Sequence, residues 1–207
     1  MDRPFKIALL SLILHMAVSA YHIVFGALTH SWWLFTIGIY YALLSAVRFG
    51  VLRTRKEAVA TKFAGVMLML LSVPLIGTVI LAVMKDRGIV FHKIAMIGIA
   101  VYTFTKITLA TYNLIKSRKS SSAKLITLRN VSFAEACVSI FALQRSMLVS
   151  FGEMPNASIQ IFNGVLGGAV CVVVFLLGFH LVPRGRAFLV SFPHLVRQFF
   201  ARLRKRK

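Results

Sequence analysis

The sequence predicts an all-α polytopic membrane protein: six transmembrane helices followed by a basic C-terminal tail. Three observations predict it. Hydrophobic residues make up 58% of the 207-residue chain and mean hydropathy is +0.82, too apolar for a water-soluble domain. Six apolar runs, at about 7–28, 31–48, 63–84, 94–115, 130–151 and 158–182, are each long enough to cross the ~30 Å hydrocarbon core of a bilayer. The basic residues behind the formal charge of +20 fall mostly between or after those runs, so topology accounts for them without nucleic acid.

Sorted by connection, one side receives Arg3 and Lys6, then Arg48, Arg53, Arg55, Lys56 and Lys62, then Lys116, Arg118, Lys119, Lys124 and Arg129, and finally the tail. The other side receives only Lys85, Arg87 and Lys93. The positive-inside rule then places both termini in the cytoplasm, with the plasma membrane as the expected location. An odd number of crossings would destroy the asymmetry.

The first run begins MDRPFKIALLSLILHMAVSAY, a basic start and an apolar middle with a signal-peptidase-like Val18-Ser19-Ala20. The apolar stretch continues through HIVFGAL, so an uncleaved span is expected. Ser11, His15, Ser19, His22 and Gly26 recur at steps of three and four and share one helical stripe. Two histidines at that spacing either share a metal or a proton relay, or serve as hydrogen-bonded helix contacts. Neither has a carboxylate or thiol at ligand spacing, which favours contacts. A short turn around Ala27 to Ser31 follows, and Trp32 and Trp33 suit an interfacial anchor.

The second run ends in Arg48 and has Thr36, Tyr40, Tyr41 and Ser45 as its polar content. The basic link VLRTRKEAVATK is expected to lie along anionic headgroups. In the third run Pro74, with Gly77 and Thr78 beyond it, marks a kink. The fourth holds Lys106 near its middle among Thr103, Thr105, Thr108 and Thr111.

The fifth run, Asn130 to Phe151, carries Glu135, Gln144 and Arg145. Charges inside a span cost roughly 2.5–3.5 kcal/mol each on insertion scales and normally face protein or water. Ser132, Glu135, Ser139, Ala142 and Ser146 form a small, polar stripe that should face inward. Glu135 is the one acid within a predicted span, and Lys106 needs a counter-ion. Counted from the ends of their runs, Lys106 lies about 15 Å deep and Glu135 about 8 Å, a difference the lysine stem can bridge. A Lys106–Glu135 pair is therefore expected, either as a proton- or ion-linked switch or as a structural clamp.

Arg145 falls in the outer half of the fifth run, and Gln160 and Asn163 in the outer half of the sixth. They either hydrogen-bond to one another, or Arg145 reaches toward Glu153. Gly164 and Gly168 form a GxxxG pair that implies close packing, within the bundle or between two copies. Cys137 and Cys171 fall inside spans, where they pack as small apolar residues.

Beyond Val182 the chain reads PRGRAFLVSFPHLVRQFFARLRKRK. Leu189, Phe192, Leu195, Phe199 and Leu203 give an apolar side, while Arg197, Arg202, Arg204, Lys205, Arg206 and Lys207 supply positive charge. The segment 183–207 is either an amphipathic helix on the anionic inner leaflet or a disordered polybasic tail, and in both forms its partner is membrane lipid.

The acids are five in all, Asp2, Glu57, Asp86, Glu135 and Glu153, too few for paired-carboxylate catalysis or a hard-metal site. There is no HExxH, CxxC, P-loop or GxSxG pattern. Neither an enzyme nor a cofactor is expected.

Two stretches carry a family likeness. GALTHSWWLFTIGIYYALLSAV, Gly26 to Val47, and KSSSAKLITLRNVSFAEACVS, Lys119 to Ser139, resemble the Gly and Ser turn into the second span and the basic link into the fifth span of the cation diffusion facilitator family. The likeness implies six spans with both termini inside, a homodimer and a divalent-metal site drawn from spans two and five. The ligand positions depart from it: Ile37 or Tyr40 and Tyr41 or Leu44 in span two, and Val131 and Glu135 in span five, leave one acid of four. Lys106 nearby would repel a divalent ion, and the family's cytoplasmic metal-binding domain is replaced by the basic tail. Two functions follow. One is a divergent cation-efflux-like transporter in which Glu135, Lys106 and His15 line a proton or solute path. The other is a non-transporting membrane protein that binds a partner or anionic lipid through its helices and tail.

Overall fold

The structure, a computed structural model, describes residues 3–84, 90–117, 122–151 and 155–182. The tail, the loop residues Lys85, Asp86, Arg87, Arg118, Lys119 and Glu153, and the readings that rest on them lie outside the described residues. Within them the chain forms six helices and no strand: α1 (Arg3–Leu28), α2 (Trp32–Arg53), α3 (Glu57–Met84), α4 (Lys93–Ser117), α5 (Ala123–Phe151) and α6 (Asn156–Leu181). Helices α2 to α6 are long and apolar enough to cross a membrane. Helix α1 has 26 residues, about 39 Å of rise, and His15–Leu28 is its apolar described stretch.

The helices alternate in direction. Helix α5 is the most central, packing against α2, α3, α4 and α6, while α1 packs chiefly on α2 and α4 chiefly on α5. Leu68, Leu75, Ile37, Tyr40, Leu44, Val131, Val138, Phe141 and Val174 fill the space between α2, α3, α5 and α6. The apolar residues left outside, such as Val73, Ile97, Val101, Phe104, Val165 and Val172, face outward as they would toward acyl chains.

Helices α1 to α5 each outrun their apolar runs where charged residues begin. The expected surface link after Arg48 is mostly helix: α2 continues to Arg53 and α3 starts at Glu57. Helices carry their own backbone hydrogen bonds into the interface, so a charged side chain does not end them. Helix α5 starts at Ala123, seven residues before the apolar run at Asn130, and this changes the depth of everything on it. Helix α3 passes through Pro74 as one unbroken helix.

Local chemistry sets the ends. Leaving α1, Ser31 N–H donates to Gly26 O at 3.0 Å and His30 N–H to Ala27 O at 3.3 Å, with His30 at φ 52°, a Schellman ending that uses histidine in place of glycine. Ser31 then caps α2, its hydroxyl accepting from Leu34 N–H at 3.4 Å. At the opposite end Lys124 donates to Leu52 O (2.7 Å) and Thr54 O (3.1 Å), and the Glu57 carboxylate accepts from Ser122 Oγ (2.7 Å) and Ala123 N–H (3.1 Å). These bonds tie the start of α5 to the α2–α3 connection. Thr61 and Thr127 continue the seam one turn deeper, their hydroxyls 2.9 Å apart.

Close packing of α6 runs through glycines other than the GxxxG pair. A Cβ on Gly178 would sit 2.8 Å from Gly65 O and Met69 N, and one on Gly167 would sit 2.6 Å from a Val79 methyl, whereas one on Gly168 would meet nothing within 4 Å. Gly167 and Gly178 lie three turns apart, so α6 approaches α3 along that line, and Gly168 points away from it. We expect Gly178→Ala to lower stability in detergent by about 1–3 kcal/mol in thermal unfolding, and Gly168→Ala to stay within about 0.5 kcal/mol of the parent.

Candidate functional site: a buried carboxylate among three basic side chains

Glu135 lies mid-way along α5, with its side chain 4% exposed. Its Oε1 sits 2.9 Å from Lys106 Nζ of α4 and 2.9 Å from His15 Nε2 of α1, and its Oε2 accepts from Arg48 NH2 of α2 at 3.1 Å. The expected Lys106–Glu135 contact is present. The depth mismatch between them is not, because α5 begins at Ala123: counted from the ends of α4 and α5, Lys106 and Glu135 lie about 17 Å and 18 Å deep. The two meet level, without snorkelling.

Arg48, counted in the sequence as an interfacial charge, is instead buried against Glu135. The reason is visible in α2, where Ile37, Tyr41, Leu44 and Arg48 follow at steps of four, three and four and are all buried. A guanidinium on that stripe points inward, toward Glu135. Arg48 also donates to Ser132 Oγ at 2.7 Å, and its NH1 lies 2.8 Å from His15 Nδ1. A guanidinium can only donate, so Nδ1 must accept, the proton sits on Nε2, and that N–H donates to Glu135. His15 is therefore neutral in this arrangement. Among the described residues the cluster then holds one negative and two positive charges.

Ser139, one turn beyond Glu135, completes the site. Its hydroxyl accepts from Lys106 Nζ (2.9 Å) and Tyr41 OH (3.2 Å) and donates to Glu135 O (2.9 Å), which fills its bonding capacity. The Lys106 ammonium also lies over the Tyr41 and Tyr102 rings, 5.3 and 5.7 Å from their centroids. The inward stripe of α5 is thus a connected network.

The other polar residues singled out in the sequence take different places. His22 does not share a ligand with His15; its Nδ1 lies 2.8 Å from Val18 O, to which it donates, and its ring meets Tyr41 edge-on. Arg145 and Asn163 are both buried but do not bond to each other. They converge on Ala82 O, which accepts from Arg145 NH1 and, at 3.4 Å, from Asn163 Nδ2. Ala82 is in the last turn of α3, whose carbonyls lack helical partners and favour a nearby cation. The Arg145 guanidinium also stacks over Trp33 at 4.8 Å, so Trp33 is a buried packing residue, and Trp32 alone faces outward. Gln160 is exposed. Among the described residues no three His, Cys, Asp or Glu side chains gather into a metal-holding group.

A cavity of about 380 Å³ lies above the cluster. Lys106, Tyr41 and Ser139 form its floor; Trp33 and Phe91 mark its far end, toward the α1–α2 turn. Its sides are α1, packed chiefly on α2, and α4, packed chiefly on α5, and at the far end Phe25 of α1 stacks on Phe91 with ring centroids 6.4 Å apart. Below the floor, Glu135 holds His15, Arg48 and Lys106, and the Thr61–Thr127 and Glu57–Ser122 bonds join the start of α3 to the start of α5. The site is a cleft with a charged floor. Comparison with known proteins adds no family: no family model, no curated protein and no solved structure matches this chain.

The charge count predicts an order of stabilities. Glu135→Met takes from buried Arg48 and Lys106 the carboxylate they share and should cost roughly 3–5 kcal/mol. Lys106→Met leaves Glu135 paired to Arg48 and bonded to His15, and should cost clearly less. Chemical unfolding in mixed micelles checks the order; equal losses would contradict the shared pairing.

Proposed function

We propose that this chain is a membrane transporter whose solute path runs through the cleft, with Glu135 and its basic partners as the lock between open and closed halves. One observation carries the reading: a single carboxylate ties α1, α2 and α4 to α5 at the floor of a cleft. A carboxylate so placed can exchange partners or take up a proton, and either event frees three helices at once. The basic ends of α2, α4 and α5 support cytoplasmic termini in the plasma membrane, which makes the cleft outward-facing.

The likeness to cation diffusion facilitators supports common layout, and their metal does not fit this site. Glu135 already accepts from three donors, and two fixed cations within contact of it disfavour a divalent ion. The solute is of another class. A non-transporting partner- or lipid-binding protein is the alternative, in which the same cluster is a static clamp.

Accessibility separates the two. With Cys137 and Cys171 replaced by serine, single cysteines at Ala95 in the cleft and at Thr127 in the buried seam between α3 and α5 can be labelled in nanodiscs by a membrane-impermeant maleimide. Transport predicts that adding Glu135→Gln raises labelling at position 127 several-fold while lowering it at position 95. A clamp predicts that both rise together as the bundle loosens, or that neither changes.

A further inference from the structure

We infer that the cleft binds a single-chain amphiphilic carboxylate drawn from the surrounding bilayer, its carboxylate on Lys106 and its chain along the aromatic wall toward Trp33. The inference rests on the proposed solute path and names the ligand class for it. Three features of the cleft carry it: its charge, the bonding at its floor and its shape.

The floor is positive. Among the described residues one carboxylate, Glu135, faces two buried cations and His15 is neutral, an excess of one positive charge, and Lys106 is the cation that faces the cleft. A buried charge without its counter-ion is costly, and a monoanion on Lys106 would neutralise the cluster. A cation would add to the excess. A dianionic phosphate monoester would over-compensate it.

The bonding has room for one more acceptor. An ammonium has three N–H groups; Lys106 gives one to Glu135 and one to Ser139, both at 2.9 Å. The third can meet a carboxylate oxygen. Ser139 is already saturated by Tyr41, Lys106 and the Glu135 carbonyl, so the floor offers a charged donor and no competing hydroxyl from that residue.

The shape selects the body. About 380 Å³ is at the lower end of the ~300–1,000 Å³ typical of ligand pockets, enough for one chain and too little for a two-chain phospholipid with its headgroup. Trp33, Tyr102 and Phe91 line it with apolar surface, and its sides are α1, packed chiefly on α2, and α4, packed chiefly on α5, so the inferred entrance lies between those two helices. A ligand already dissolved in the bilayer can enter without crossing water.

The test uses the full chain in nanodiscs with Trp32→Phe, which leaves Trp33 as the sole tryptophan and places the fluorophore in the cleft. Quenching of Trp33 by 12-bromododecanoate should saturate, and by 12-bromododecanol it should rise only linearly with lipid partitioning. Lys106→Met should weaken the carboxylate by about tenfold or more, the loss of one charge-assisted bond. Gly98→Phe, at a cleft position where a Cβ meets nothing within 4 Å, should abolish saturation while leaving the charges in place. Equal saturation by the alcohol, tighter binding of 12-bromododecyltrimethylammonium, or an unchanged carboxylate isotherm in Gly98→Phe would overturn the inference. The labelling experiment needs no ligand. A protein that binds the carboxylate without alternating refutes transport alone, and one that alternates without binding refutes this inference alone.

Discussion

Burying a carboxylate in a bilayer-sized bundle is possible only if donors surround it, and the arrangement of four helices follows from how Glu135 meets that demand. Three donors come from three different helices, His15 on α1, Arg48 on α2 and Lys106 on α4. None is adjacent to another in sequence. The contact therefore fixes the relative rotation and depth of those helices about α5, since each long side chain must arrive at one pair of oxygens.

Apolar packing does the complementary work on the other side of α5. There α3 and α6 approach through Gly65, Gly167 and Gly178, with backbone against backbone and little polar content. Between lipid-soluble helices such contacts stabilise by dispersion and close fit, because hydrophobic transfer gives almost nothing once both helices are in lipid. The molecule thus has a tight half built on α3 and α6 and a more polar, looser half built on α1 and α4. The cleft lies in the looser half, where the helices that flank it are held mainly by one neighbour each and by the shared carboxylate. Conformational change is easiest where few contacts must be broken.

Much of this was legible in the chain, and what was missed has a common physical cause. The six helices and their order follow from apolar length, and the inward face of α5 follows from the spacing of Ser132, Glu135 and Ser139. The Lys106–Glu135 pair follows from scarcity, since a buried lysine has one carboxylate available. Arg48 was hidden because a charge at the edge of an apolar run reads as interfacial, although its step from Tyr41 and Leu44 already marked it as inward. The same habit of ending a helix where charge begins placed Glu135 too shallow. The choice of Gly167 and Gly178 over Gly164 and Gly168 depends on which face of α6 meets α3, and spacing within one helix cannot determine the partner's position. His15 was on the right stripe, but its role required knowing that Arg48 and Glu135 approach its two ring nitrogens from opposite sides.

The account stands on an ionised Glu135 held against Lys106 inside the membrane, and a dipolar-coupling measurement reads that contact directly. Protein labelled with ¹⁵Nζ-lysine and ¹³Cδ-glutamate, reconstituted in bilayers, should show strong carbon–nitrogen dephasing at a carboxylate shift typical of the ionised form, lost in Lys106→Met. A glutamate signal with no dephasing that depends on Lys106 would contradict it.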